Sequence, residues 1–119
     1  MDTHTHTPRS PGPYTVPLRE LKAKLTTAKW GQADDAPSSP ALLCLCPLCG
    51  EHSILIAYTH GQPQHSVRPG IGNVWGHVGG STVDDLTLAP SYLALGRCRL
   101  HVFVRDGQLE VLSDSRGPL

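Results

Sequence analysis

Three of the chain's four cysteines fall in one stretch, Cys44-Leu45-Cys46-Pro47-Leu48-Cys49-Gly50. Its centre, Cys46-Pro47-Leu48-Cys49-Gly50, has the spelling of a zinc knuckle. Two thiolates two residues apart reach one metal from a tight turn; the proline presets one backbone angle, and the glycine permits positive φ just after the second ligand. A knuckle supplies half of a tetrahedral site. The other half is expected at Cys98-Arg99-Leu100-His101, a second x2 pair that holds the only later cysteine. The predicted ligands of a Zn ion are therefore Cys46, Cys49, Cys98 and His101. Two residues compete with them. Cys44 could swap in or pack as a small buried apolar residue. His52, three residues after Cys49, could replace His101. On an ideal strand residues i and i+3 face opposite sides, so the Cys98–His101 pair requires a turn or bulge at 98–100.

A catalytic zinc would keep one position open for water beside a general base. The zinc deaminases need His-x-Glu ahead of Pro-Cys-x-x-Cys; here no His-x-Glu occurs and Leu45 precedes Cys46. His-Glu-x-x-His, the P-loop and Gly-x-Ser-x-Gly are also missing. Asp84 and Asp85 are adjacent, so on a strand they would point to opposite faces. No catalytic residues are assigned, and a structural site is expected.

The elements that must position the site are short. In 119 residues, with 11 prolines and 5% aromatic side chains, little large apolar material is available for a core. Residues 1–16 read as a disordered tail, in which His4 and His6 alternate with threonine. Residues 17–29 read as a short helix: Pro17 suits a first turn, Leu18, Leu21 and Leu25 share one face, and Glu20 and Lys24 form an i, i+4 pair. Tyr14 to Leu18 could instead pair as an edge strand. The segment to residue 40 is linker, rich in Pro and Ser. Residues 41–113 are the expected zinc-stabilised β domain, and 114–119 a tail. Strands are read at 53–58, 73–78 and 86–88. A long loop covers 59–73 and carries His60 and His65. The clearest hairpin is 99–105 with 108–112 around Asp106-Gly107. The fold class expected is mainly β with one short N-terminal helix and a small zinc-ribbon-like antiparallel sheet. A core of this size supplies only ~3–5 kcal/mol; a structural zinc contributes an apparent ~10–16 kcal/mol.

Ten basic side chains balance ten acidic ones, which speaks against a dedicated nucleic-acid binder. Within the first thirty residues Arg9, Arg19, Lys22, Lys24 and Lys29 outnumber Asp2 and Glu20, a local basic patch. No apolar run approaches the ~20 residues of a membrane span, and Met1 to Ser10 has no apolar signal-peptide core. The expectation is a cytoplasmic protein with no membrane association, where paired cysteines are metal ligands rather than disulfides.

Over residues 42–112 the chain resembles a family of short uncharacterised proteins of phages and bacteria. The pieces are the knuckle Cys46-Pro47-Leu48-Cys49-Gly50, Trp75, Thr87-Leu88-Ala89-Pro90-Ser91, and the hairpin from Cys98 through His101 to Asp106-Gly107. The knuckle departs from the Cys-Pro-Cys-Gly-Cys-Gly form of many members. Some members carry an ammonia monooxygenase label, for which this chain shows no oxidative copper or iron site. Similar bacterial genes look like companions of ubiquitin-like conjugation systems. The resemblance implies zinc binding and a mobile-element context, in the host-cell cytoplasm if phage-encoded, and supplies no reaction.

The function expected is a zinc-stabilised protein-interaction module, a phage or mobile-element accessory protein acting on a host or phage protein, such as a defence-system inhibitor. One alternative is a nucleic-acid-binding zinc ribbon that uses Arg97, Arg99 and Arg105 with the lysine segment. Another is a zinc-dependent hydrolase, which needs an open coordination position.

Overall fold

In the computed structural model, residues 13–29, 34, 38–60, 64–65, 73–89 and 91–117 are described. Residues 1–12 of the expected tail, with His4 and His6, lie outside the described residues, as do most of the linker and most of the 59–73 loop.

The hairpin that begins at Arg99 anchors the first sheet. Strands β9 (Arg99–Arg105) and β10 (Gln108–Val111) pair antiparallel, with Arg105 opposite Gln108. Asp106 and Gly107 both take positive φ, 51° and 75°. That is the primed two-residue turn that matches strand twist. A Cβ on Gly107 would lie 2.2 Å from the carbonyl oxygen of Asp84, so close backbone approach also requires glycine here. β1 (Tyr14–Pro17) adds beside β10, and β8 (Tyr92–Leu95) beside β9, completing the antiparallel order β1-β10-β9-β8.

The second sheet is ordered β2-β3-β4-β6-β5, with β7 also paired to β6. Its strands are β2 (Lys24–Lys29), β3 (Ser38–Leu45), β4 (Ser53–His60), β5 (Gln64–His65), β6 (Asn73–Gly79) and β7 (Thr87–Ala89). β4 and β6 run parallel; the other pairs are antiparallel.

The N-terminal helix expected over 17–29 does not form. Leu18–Leu21 make one 3-10 turn, Lys22 turns left-handed at φ 53°, and Lys24–Lys29 run as strand β2. The leucine spacing matched a helix over a single turn only. Leu18 and Leu21 do bury together, but beyond them Leu25-Thr26-Thr27 carries β-branched residues and gains a full register with β3, from Lys24 opposite Leu43 to Lys29 opposite Ser38. The small zinc-ribbon-like sheet is likewise overturned. The chain is mainly β in two sheets, both larger than a ribbon, and one contains a parallel pair.

Alternation along the strands builds the core between the sheets. Leu100, Val102 and Val104 of β9, with Leu109 and Val111 of β10, face Leu42 and Cys44 of β3 and Ile54 and Ile56 of β4 in one buried cluster. The hairpin tip locks onto the second sheet through Asp106 N–H to Thr87 Oγ1 (2.9 Å) and Gly107 N–H to the Leu86 carbonyl (3.0 Å). Among the described residues no helix is long and apolar enough to cross a membrane.

Candidate metal centre

The connection between β3 and β4, residues 46–52, is a knuckle. The Gly50 N–H donates to the Cys46 carbonyl at 2.8 Å, and the Cys46 N–H donates to the His52 carbonyl at 2.8 Å. Gly50 takes φ 68°, the conformation for which glycine is needed after the second cysteine. The Glu51 N–H donates to Cys49 Sγ at 3.4 Å. Such N–H···S bonds orient thiolate ligands and stabilise their charge.

Cys98, in the connection between β8 and β9, completes the group. The donor atoms of Cys46, Cys49, His52 and Cys98 all lie within 4.8 Å of one another. A tetrahedral zinc with bonds of about 2.0–2.3 Å holds its donors roughly 3.5–3.8 Å apart, so small shifts, inward for the wider pairs and outward for Cys49 and His52, would close this set on one ion. His52 turns Nδ1 inward, 3.0 Å from Cys49 Sγ. The three cysteines are buried and His52 is half-buried. Three soft sulfurs and one imidazole are the donor set of closed structural zinc sites.

The thiols respond to this crowding. Burial pushes Cys98 up to about 12, with Cys49 and Cys46 adding to it. Burial also raises Cys46, against the N–H bonds it accepts. Cys49 is lowered: burial opposes ionisation there, but the bonds from Glu51 N–H, Cys98, His52 N–H and Cys46 outweigh it. Three thiolates at this spacing repel one another, and a divalent cation would reverse that balance.

The structure thus brings together Cys46, Cys49 and Cys98 and sets His52 beside them, whereas His101 lies elsewhere. β9 is regular at this point, with no bulge to turn residue 101 inward. Leu100 and Val102 bury and His101 points to the outer face. Its ring is engaged there, with Nδ1 3.1 Å from both carboxylate oxygens of Asp114 and Nε2 3.0 Å from Ser91 Oγ. Cys44 sits in β3 opposite Ile54 and packs in the core; burial, then the nearby Cys46, pushes its thiol up to about 12.

Sequence reasoning assigned no role to Ser91 or Asp114. Residues 114–119 read as a tail, yet Ser115 is fully buried and Arg116 pairs with Arg99 beyond the end of β10. No local signal marks that return, because one bridging residue has no periodicity. Compared with protein-family models, with curated proteins and with solved structures, the chain matches none.

Proposed function

We propose that the chain is a zinc-stabilised protein-interaction module, in which Cys46, Cys49, His52 and Cys98 close a structural site. The observation that carries this reading is the convergence of four protein donors from two different connections. Three belong to the β3–β4 turn of one sheet, and Cys98 belongs to the β8–β9 turn of the other. A metal held there ties the two sheets together at the end opposite the Asp106-Gly107 tip. The Arg97–Glu51 ion pair spans the same two turns at the surface. Four protein ligands leave no open position for water, which favours a staple over a zinc hydrolase.

The contact surface of the module is the groove beside this staple. It is a cavity of about 210 Å³ between the start of β4 and the β8–β9 turn, with exposed Leu55 and Leu95 at its rim. The nucleic-acid alternative is weakened by the arginines it would use. Arg97 pairs with Glu51, Arg99 with Asp114 and Arg105 with Glu110. The partner proposed is a host or phage protein, in the setting of a mobile-element accessory protein.

The test has two parts. Inductively coupled plasma mass spectrometry on tag-free protein is expected to give one zinc per chain; a folded chain with no metal defeats the staple. Affinity capture from phage-infected host cells is expected to recover one stoichiometric protein, lost in a Leu55→Lys/Leu95→Lys variant that keeps its zinc. Retention of that protein by the variant would defeat the proposed groove.

A further inference from the structure

Ser91, His101 and Asp114 form a chain of hydrogen bonds that the metal centre does not use. The Asp114 carboxylate can only accept, so His101 Nδ1 carries the proton and donates to it. The neutral ring then presents a lone pair at Nε2, and the Ser91 hydroxyl donates there across 3.0 Å. Nucleophile, base and the acid that fixes the base's tautomer stand in the order that activates a serine.

Neighbouring groups hold each member in place. The Trp75 indole N–H donates to the Ser91 carbonyl at 3.1 Å, and the Trp75 ring packs edge-on against Tyr92 with centroids 5.1 Å apart. The His101 N–H donates to Ser115 Oγ (3.0 Å), and the His101 carbonyl accepts from Leu112 N–H (2.8 Å) and Ser115 Oγ (3.1 Å). Arg99 donates to the Asp114 carbonyl from Nε (3.1 Å) and to Oδ2 from Nη2 (3.2 Å). Preorganisation by surrounding packing and hydrogen bonds is what a reactive constellation requires. The group is also open to solvent, with side-chain exposures of 26% at His101 and 46% at Asp114.

The sheet supplies a surface for a substrate. Leu93 pairs with His101 across β8 and β9, and paired residues share a face. Alternation places Leu93 and Leu95, both exposed, on that face in line with Ser91, and Phe103 follows His101 along β9. Of the cations on this face, Arg99 is engaged by Asp114, and Arg105 pairs with Glu110 and lies over the Phe103 ring, 4.1 Å from its centroid. Leu93 and Leu95 therefore supply the apolar flank of the reacting groups.

The geometry points to a serine-nucleophile site for carboxylic esters with an apolar acyl chain on the outer face of the first sheet, with Ser91 as nucleophile, His101 as general base and acid, and Asp114 as the positioning residue. Ser91 Oγ attacks the ester carbonyl carbon and its proton passes to His101 Nε2. The bond to the leaving oxygen breaks, and that oxygen takes the proton and departs as an alcohol. Water then attacks the acyl-serine carbonyl and gives a proton to His101. The bond to Oγ breaks, Ser91 recovers the proton, and a carboxylic acid is released. This activity goes beyond the metal-stapled module and needs none of its ligands.

The test treats the 119-residue chain, as purified, with an alkyl fluorophosphonate and, separately, with p-nitrophenyl butyrate. The expected result is a single covalent adduct on Ser91 by peptide mapping, formed with loss of fluoride, together with ester hydrolysis that Ser91→Ala abolishes. His101→Gln should slow both reactions by about 10²–10⁴-fold, the usual contribution of a general base. A folded chain whose Ser91 stays unlabelled overturns the proposal, and so does labelling that His101→Gln leaves unchanged. Metal content measured on the same sample separates this outcome from the metal reading: labelling without zinc defeats the staple alone, and zinc without labelling defeats the serine site alone.

Discussion

Cys98 and His101 are three residues apart and belong to two different regions of the molecule. Cys98 faces inward, beside Cys46, Cys49 and His52, side chains that could hold a metal, and against the core. His101 faces outward, between a carboxylate and a hydroxyl. The inner region gathers soft donors that crowd one another. In the outer region, donors and acceptors are already matched. The difference teaches how to read a histidine near a cysteine: the His101 ring is already paired at both nitrogens, whereas the His52 ring turns Nδ1 onto a thiol and stays a candidate ligand.

The largest effect belongs to the inner region. Because a structural zinc contributes an apparent ~10–16 kcal/mol to a small domain, chelation or Cys98→Ser should cost most of the fold. Far-ultraviolet circular dichroism and a thermal melt, run beside metal analysis, are expected to show joint loss of zinc and of the cooperative transition. A Cys98→Ser chain that melts like the parent would erase the distinction between the two regions.

Next in size is the exchange of histidines. His52→Asn should weaken zinc binding by more than the ~10–100-fold that follows loss of a group merely hydrogen-bonded to a ligand. His101→Asn and Cys44→Ala should each retain one zinc per chain. A competition titration with a chromophoric chelator reads all three. If His101→Asn releases the metal and His52→Asn does not, the assignment of the two rings is reversed.

The core beneath β9 comes third. Leu100 lies between Cys98 and Val102 on the inner face and is 1% exposed. Leu100→Ala should cost about 2–5 kcal/mol, the range for emptying such a site, as read by urea denaturation of the zinc-loaded protein. A cost below about 1 kcal/mol, well under that range, would mean that the zinc cluster, and not the packed strands, carries this end of the sandwich.

Much of this was legible in the residues. Asp106-Gly107 marked its hairpin because few other dipeptides take positive φ twice. Cys46-Pro47-Leu48-Cys49-Gly50 marked its turn for the same kind of local reason. Which histidine stands beside the cysteines was not legible from spacing, because Cys-x2-His fits a knuckle and a strand equally well, and only the regularity of β9 decides which face residue 101 takes. The helix misreading at 17–29 has the opposite origin. The leucine spacing is real, but pairing with β3 gives Lys24–Lys29 a six-residue backbone ladder that one amphipathic turn cannot match. Asp114 escaped because its partners, Arg99 and His101, lie a strand away in space and 13–15 residues away in sequence.

The smallest effect tests whether the outer network is held as firmly as its geometry indicates. Desolvation at Asp114 works against ionisation, but the bonds from His101 and Arg99 together outweigh it, holding the carboxyl below its ordinary value. A group depressed in the folded state stabilises the fold above its unfolded pKa of about 3.9 and loses that contribution as pH falls through the folded value. The difference in melting temperature between the parent and Asp114→Asn should therefore be positive at neutral pH and shrink as pH drops through about 4. Asp114 is well exposed, so the difference should be small and should shrink further with added salt. A difference that ignores both acid and salt would show that the carboxylate's charge does not hold His101 and Arg99, since the Arg99 bond to the residue-114 carbonyl is the same in both chains. His101 would then lack the fixed acceptor that sets its outer face apart from the cysteine cluster beneath it.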